Sequence, residues 1–207
     1  MVQLCAAFEF NKLLILKFTT MRKLKLQIQM TADGYISGPN GEIDWMTWDW
    51  DDKLNSYVEG ITSPVDTIIL GRKLAEGFIP HWTSQLESAD TADDGAQKMV
   101  ETDKIVFTKT MEKSGWARTK LAKGDLTEEI CKLKEKEGKD IIVYGGGTFV
   151  SALIRENLID EFHLFINPVA IGNGVNIFSK LDRRKNLTLI QSEVFKCGIV
   201  VLCYLPH

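Results

Sequence analysis

Within Asp140-Ile141-Ile142-Val143-Tyr144-Gly145-Gly146-Gly147-Thr148-Phe149-Val150-Ser151-Ala152-Leu153-Ile154 a short β-branched run stops at three consecutive glycines, and a helical apolar pattern begins immediately after them. Apolar residues bounded by a glycine cluster read as a fully buried strand. Three glycines let the backbone take φ > 0 and let another group press directly against it. The helix that follows, with Phe149, Leu153, Ile154 and Leu158 on one face, offers unpaired N–H groups and the positive end of its dipole. Strand, glycine turn and helix start together predict an anion site of the kind that holds a dinucleotide pyrophosphate. The plain alternative is a tight βα turn with no ligand.

The same logic recurs earlier in the chain. Val65-Asp66-Thr67-Ile68-Ile69-Leu70 reads as a second buried strand, ending at Gly71-Arg72-Lys73-Leu74, which opens a helix through Phe78. Two cations in a first turn oppose the helix dipole, an arrangement that an anion would relieve, and Arg72 offers a planar fork to phosphate. Two solvated side chains are the alternative. Lys104-Ile105-Val106-Phe107 is a third short strand, closed by Thr108-Lys109-Thr110, whose hydroxyls and amine again suit a phosphate.

Leu24, Leu26, Ile28 and Met30 alternate with Lys25, Gln27 and Gln29, the period of a strand. It runs into a loop, Thr31 to Gly41, dense in Gly, Asn and Pro. Trp45, Trp48 and Trp50 follow, interleaved with Asp44, Asp49, Asp51 and Asp52. Such a cluster is either a lid on the core or a flat, polar-edged slot for a planar heterocycle. A helix is predicted over Asp51 to Ile61.

Further along, Glu87 to Asp94 reads as an exposed loop, Ala96–Val100 as a short helix, and Trp116 to Leu121 as a brief edge strand. His81 follows Pro80 and is placed in a loop. Asp125-Leu126-Thr127-Glu128 has the form of a capping box opening a charged helix to about Glu137, ended by Gly138. After the glycine stretch the helix ends near Asn157, and a strand leads to Asn167-Pro168, with His163 on it and no partner visible in sequence. Leu187–Phe195 and Ile199–Leu205 form a hairpin about Lys196-Cys197-Gly198. The pattern predicts an α/β fold: a mainly parallel twisted sheet covered on both faces, with a C-terminal antiparallel hairpin. Ligands in such sheets sit at the carboxyl ends of the strands. Thr31–Gly41, Gly71-Arg72, Thr108-Lys109 and Gly145–Thr148 all belong to that edge. No G-x-G-x-x-G follows the N-terminal strand, which disfavours a Rossmann fold.

With 207 residues, 44% hydrophobic and 26% charged, the chain suits one soluble domain. A net charge of −3 and a pI near 5.7 give no basic surface for nucleic acid or an anionic membrane. Cys5, Cys131, Cys197 and Cys203 show neither a C-x-x-C pair nor zinc spacing with the three histidines, so no metal is expected and the thiols are read as reduced in a cytoplasmic protein. Cys131 and Cys203 fall on predicted buried faces. Leu13–Leu16 is too short to span a bilayer, and no cleavage site follows it. Met21-Arg22-Lys23-Leu24 looks like a fresh start. Residues 1–20 are therefore read as a non-native or disordered extension, and 21–207 as a single domain.

Thr31-Ala32-Asp33-Gly34-Tyr35-Ile36, Ile69-Leu70-Gly71-Arg72-Lys73, Val143-Tyr144-Gly145-Gly146-Gly147 and Asn167-Pro168-Val169, followed by Gly172, Gly174 and Phe178, together resemble the dihydrofolate reductase-like superfamily. The nearest branch is the reductase domain of the bacterial riboflavin-biosynthesis deaminase-reductase. The resemblance spans Met21 to the C-terminus. It implies a three-layer sandwich on a mostly parallel sheet of about eight strands, binding NADPH and passing hydride to a planar pteridine- or pyrimidine-like heterocycle. It implies that Gly145, Gly146, Gly147 and Thr148 hold the pyrophosphate, with Gly71, Arg72 and Lys73 by the phosphates and Thr108 and Lys109 near the adenosine 2′-phosphate. Gln29 and Ile36 would lie near the nicotinamide, and Asp33, Trp45, Trp48 and Tyr144 at the substrate. A homodimer through the C-terminal strands is implied as well. The riboflavin branch commonly carries a glutamate where this chain has Tyr144. Asp33 and Asp49 are the candidate acids, Asp49 and Asp51 falling near the place where folate reductases keep theirs. The readings left open are a reductase of unknown substrate, an NADP-binding protein of this fold without turnover, and a genuine dihydrofolate reductase.

Overall fold

The structure is a computed structural model that describes residues 21–207; the extension expected over 1–20 lies outside the described residues. Period-two alternation makes Leu24–Thr31 the first strand, β1, and both of its faces are covered. Leu24, Leu26, Ile28 and Met30 enter one apolar layer, while Lys25, Gln27 and Gln29 turn toward the other. The chain continues through α1 (Asp52–Thr62), β2 (Val65–Gly71), α2 (Arg72–Glu87), α3 (Asp94–Glu101), β3 (Asp103–Phe107), β4 (Thr119–Ala122) and α4 (Leu126–Lys134). It closes with β5 (Asp140–Val143), α5 (Gly147–Arg155), β6 (Glu161–Asn167), β7 (Leu187–Val194) and β8 (Val200–Pro206).

These strands form one eight-stranded sheet in the order β4-β3-β2-β5-β1-β6-β8-β7. The first six strands of that order pair parallel, and β8 pairs antiparallel with both β6 and β7. The expected α/β class with a C-terminal antiparallel hairpin is therefore what the chain adopts. On one face α1, α2 and α3 bury Leu54, Ile61, Ala75, Ile79 and Met99 over Leu70, Val106, Ile142 and Phe165. On the other, α4 and α5 bury Ile130, Leu133, Val150, Leu153 and Ile154 over the apolar side of β1.

The connections leaving β1 and β5 decide where a ligand can sit. These strands are neighbours, yet β1 leads toward α1 on one face while β5 turns through the glycines to α5 on the other. Their carboxyl ends therefore part above the sheet, the topological switch point of an open α/β fold. The four loops singled out in the sequence all leave strands at this rim.

Several local expectations change. The second helix does not stop at Phe78 but runs to Glu87 with Pro80 inside it, so His81 is helical rather than in a loop. An interior proline removes one helix hydrogen bond. Here Ile79 and Trp82 continue the apolar face beyond it, and packing of that face holds the helix together. The edge strand is Thr119–Ala122 rather than Trp116–Leu121, because Arg118 takes φ 50 and ends the preceding turn. The charged helix stops at Lys134 rather than near Glu137. Cys131 is exposed, since Ile130 and Leu133 occupy the buried face of that helix; Cys203 is buried as expected.

Candidate functional site

Helix starts differ around the molecule in a way that marks the rim. Helices α1, α3 and α4 are each capped by an aspartate: Asp51 accepts from Leu54 N, Asp93 from Ala96 N, and Asp125 from Thr127 N and Glu128 N. Helices α2 and α5 begin at Gly71 and Gly146, and no side chain among the described residues caps either one. Both lie at carboxyl ends of adjacent parallel strands, β2 and β5. Two helix starts thus present backbone donors and positive dipole ends to one region with no capping carboxylate among the described residues.

The glycines of this region serve two different ends. Gly146 sits at φ +82, a conformation that a side chain would strain by roughly 1–2 kcal/mol, and this turn aims the chain from β5 into α5. Gly147 instead makes room for the protein itself: a Cβ there would stand 2.4 Å from Cγ1 of Val175. Gly71 does likewise for Phe149, whose Cβ lies 2.9 Å from the same imagined atom. Part of the bare surface expected from the sequence is therefore taken up by internal packing. The first-turn N–H groups at Gly147, Thr148, Arg72 and Lys73 are what remains for an anion. The guanidinium of Arg72 meanwhile bonds Glu76 at 2.5 Å, one turn along α2.

The floor between β1 and β6 is polar and firmly held. Asn167, fully buried, donates from Nδ2 to Gln29 Oε1 at 2.7 Å and accepts at Oδ1 from Thr47 N at 3.1 Å. This ties the loop after β1 to the ends of both strands and orients the Gln29 amide. Above it stands an aromatic stack: Trp48 over Trp50 at 5.9 Å and Trp50 over Phe165 at 6.4 Å, with Trp50 Nε1 donating to Thr47 O. Trp48 is the outermost ring and is 64% exposed. Trp45 Nε1 is buried with no partner among the described residues. On the other side of the crevice Tyr144 stacks on Phe78 with ring centres 5.5 Å apart, and burial pushes its phenol well above the usual range.

Other residues named from the sequence prove to brace loops. Asp33 accepts from Thr31 Oγ1, Ile171 N and Gly172 N, which fastens the loop after β1 to the loop after β6. The Thr31 bond leads in holding its carboxyl below the usual carboxylate range, helped by those backbone donors. Ile36 packs in the core beside Gly147, and its N–H donates to Val175 O. Thr108 Oγ1 accepts from Thr110 N and Met111 N, while Lys109 Nζ donates to the carbonyls of Lys123 and Gly124. Asp49 is exposed, and Asp51 is spent on the α1 cap and on Lys196 N. Two open depressions among the described residues lie away from the space between the β1 and β5 ends. One of about 600 Å³, lined by Gly60, Ser63, Pro64, Lys139 and Asp140, is at the opposite rim. The other, about 460 Å³, lies along Tyr35, Asn173, Gly174, Asn176, Phe178 and Ser179.

In the sequence Asn167 stands out only as part of a motif, and Phe165 and Thr47 carry no signal of a role. Their roles come from strand register and from a loop folding back over 120 positions, neither of which leaves a local signal.

Comparison with known proteins agrees with this architecture. YyaP of Bacillus subtilis, named as an uncharacterized protein, is 33% identical over 186 residues, covering 88% of this chain and 94% of that one. The Thermotoga maritima diaminohydroxyphosphoribosylaminopyrimidine deaminase/5-amino-6-(5-phosphoribosylamino)uracil reductase superposes with a TM-score of 0.66 at 19% identity, over 90% of this chain and 57% of that one. The riboflavin biosynthesis reductase Rib7 of Saccharomyces cerevisiae gives 0.58 at 15% identity, over 91% of each. These two likenesses concern the fold. The sequence family described as the RibD C-terminal domain matches residues 22–201. That span runs from just ahead of β1 into β8 and takes in every loop of the carboxyl rim, so the chain belongs to the RibD C-terminal domain family.

Proposed function

We propose that this protein is an NADPH-dependent reductase of a planar, pyrimidine- or pteridine-like heterocycle. The observation that carries the reading is the pair of helix starts at Gly71 and Gly146. They are left without side-chain caps at the switch point, while the other three described helices are aspartate-capped. Uncapped first turns at that position suit a diphosphate. Gly145, Gly146, Gly147 and Thr148 would hold it by backbone N–H groups, with Arg72 and Lys73 adding charge once Arg72 releases Glu76. Thr108 and Lys109, at the end of β3, stand at the far side of the same rim, where the adenosine 2′-phosphate would reach.

When bound, NADPH supplies the hydride; the protein supplies position and polarity. Gln29, whose Oε1 accepts from Asn167, would present its amide N–H groups to the nicotinamide. Ile36, packed beside Gly147, would back the nicotinamide, and the Trp48–Trp50 stack would offer a flat wall for a heterocycle, with Trp45 preceding it in the same loop. Tyr144 shapes the choice of substrate. A glutamate at that place would be an anionic acceptor, whereas a phenol with a raised pKa stays neutral and can donate. The preferred substrate thus presents an acceptor, such as a ring carbonyl, where relatives with glutamate meet a donor.

Calorimetric titration of the purified protein with NADPH and with NADP⁺ tests the cofactor reading. Micromolar or tighter binding is expected, and heat from neither ligand would refute it. A panel of pterins, pyrimidines and quinazolines monitored by NADPH oxidation then tests turnover. A second reading, a nucleotide-binding protein without turnover, is favoured by one observation: the Asp33 and Asp51 carboxylates are both engaged by backbone donors, and of the candidate acids Asp49 alone has no partner among the described residues. Cofactor binding with no oxidation across the panel would select it. Methotrexate binding at the affinity typical of folate reductases would move the assignment to a dihydrofolate reductase.

The partner surface proposed here is the edge strand β7. Among the described residues it pairs with β8 alone, and Leu189, Ile190 and Val194 are half or more exposed along it. An apolar edge with free backbone groups suits a second copy of this chain. Light scattering on the purified protein separates dimer from monomer.

A further inference from the structure

Beneath α1, at the opposite end of the sheet from the rim, lies a polar cluster that the proposed reductase does not use. Glu161 and His163 are two apart on β6 and so share a face, and His163 stands directly opposite Cys203 on β8. All three turn toward α1. His163 and Cys203 are buried, and the Glu161 side chain is 14% exposed. Nε2 of His163 lies 2.7 Å from Glu161 Oε1 and 4.0 Å from Cys203 Sγ, and the three donor atoms all fall within 4.8 Å of one another. Nδ1 of the same ring meets the Tyr57 hydroxyl of α1 at 2.9 Å. In register with His163 on β1 is Gln27, whose Oε1 is buried and unpartnered among the described residues.

We propose that Glu161, His163 and Cys203 form a binding site for a borderline divalent cation of the zinc class. Carboxylate, imidazole and thiolate are the donor types such an ion takes. A tetrahedral site needs about 3.3 Å between nitrogen and oxygen donors and about 3.6 Å between nitrogen and sulfur. The cluster reaches those spacings by small side-chain rotations: the Glu161–His163 pair opens and the His163–Cys203 pair closes. The ion takes the place of the Nε2 and Sγ protons, which leave to solvent. Its charge is then balanced by one carboxylate and one thiolate. Tyr57 is a positioning residue. Its hydroxyl accepts from Nδ1–H when Nε2 holds the metal and donates to Nδ1 when Nε2–H faces Glu161, so it fixes the ring in either state.

The fourth position falls to water or to the Gln27 amide oxygen. Entry is by the partly exposed Glu161 at the amino rim. Lys23 pairs with Glu161 there at 3.4 Å, and Lys25, bound to Asp140 at 2.9 Å, lies close by. These ammonium groups disfavour a hard cation held by charge alone and leave selection to the soft thiolate. His163 is four residues from Asn167, about 13 Å along the strand, so the site is separate from the crevice at the other rim.

Cobalt is the probe. Full-length protein is dialysed against chelator, exchanged into metal-free buffer under argon and titrated with Co²⁺. The expected result is a stoichiometry of one with a thiolate-to-cobalt absorption band in the near ultraviolet, lost again on adding Zn²⁺. Cys203→Ser and His163→Gln should abolish the band. Tyr57→Phe should keep it while weakening affinity about tenfold. A Cys5→Ala, Cys131→Ala, Cys197→Ala variant should retain it unchanged. A folded wild-type protein that binds cobalt without that band, or binds none, overturns the site whatever the variants do. So does a band that survives Cys203→Ser.

Discussion

The Tyr57 hydroxyl lies 2.9 Å from Nδ1 of His163, a buried imidazole whose other nitrogen faces Glu161. The Glu161 carboxylate, 2.7 Å away, can only accept, so Nε2–H donates to it and Nδ1 of the neutral ring accepts from the phenol. A helix residue and a strand residue 106 positions apart are thereby locked across one layer of the fold. Tyr57→Phe leaves a buried acceptor unpaired and should lower stability by about 1–3 kcal/mol, read from the urea midpoint at an unchanged slope. Calorimetric NADPH affinity should not move, because the change is far from the rim.

Lys104 carries a pH dependence of its own. Its side chain is buried, with Nζ donating to the carbonyls of Val100 and Thr102, and burial, aided by Arg118, lowers its pKa to about 8. The unfolded chain keeps the ordinary value of 10.5, so between pH 8 and 10.5 the unfolded state binds more protons. Stability from this group therefore rises as pH climbs through that window, and the penalty is fully present below pH 8. Guanidinium melts of wild type and Lys104→Met across pH 7–10.5 should show that rise only in the wild type.

Gly147 is held by its neighbour. Gly147→Ala forces a Cβ to 2.4 Å from Val175 Cγ1 and should cost about 1–3 kcal/mol. Adding Val175→Ala opens that space, so the double variant should be more stable than Gly147→Ala alone. A double-mutant cycle with no coupling would show that this glycine serves something other than packing.

Arg72→Gln separates ligand binding from stability. The Arg72–Glu76 pair is exposed and one helical turn apart, worth a few tenths of a kcal/mol, so the melting curve should barely shift. NADPH affinity should fall about tenfold, and the loss should shrink at high salt as the charge is screened. An unchanged affinity would take Arg72 out of the proposed cofactor site.

Ile190→Lys places a charge in the middle of the apolar edge of β7. A protein that is a dimer by light scattering should become monomeric, with far-ultraviolet dichroism retained, since that side chain is already half exposed.

Much of the scaffold is legible along the chain because its cues are local. β-branched runs bounded by glycine, the period-two pattern of Leu24 to Met30 and the aspartate cap before Leu126 each act within a few residues. The same locality explains the misreadings. Pro80 is a helix breaker by itself, yet Ile79 and Trp82 find a surface to pack on and the helix continues past it. Cys131 follows an apolar pattern, but which face of a nine-residue helix meets the sheet depends on where the sheet lies.

The sequence alone determined the alternation of strands and helices, the rim at which the glycine turns gather, and the membership of the aromatic cluster near that rim. These depend on backbone freedom, capping and short-range hydrophobic period. Only the tertiary structure decided what each residue at the rim does: Asp33 as a brace between loops, Gly71 and Gly147 as clearance for Phe149 and Val175, and Asn167 as the tie to Gln29 and Thr47. It also decided that Glu161, His163 and Cys203 meet. The physical reason is strand register, which sets residues forty positions apart side by side through backbone hydrogen bonds that leave no mark in the local sequence.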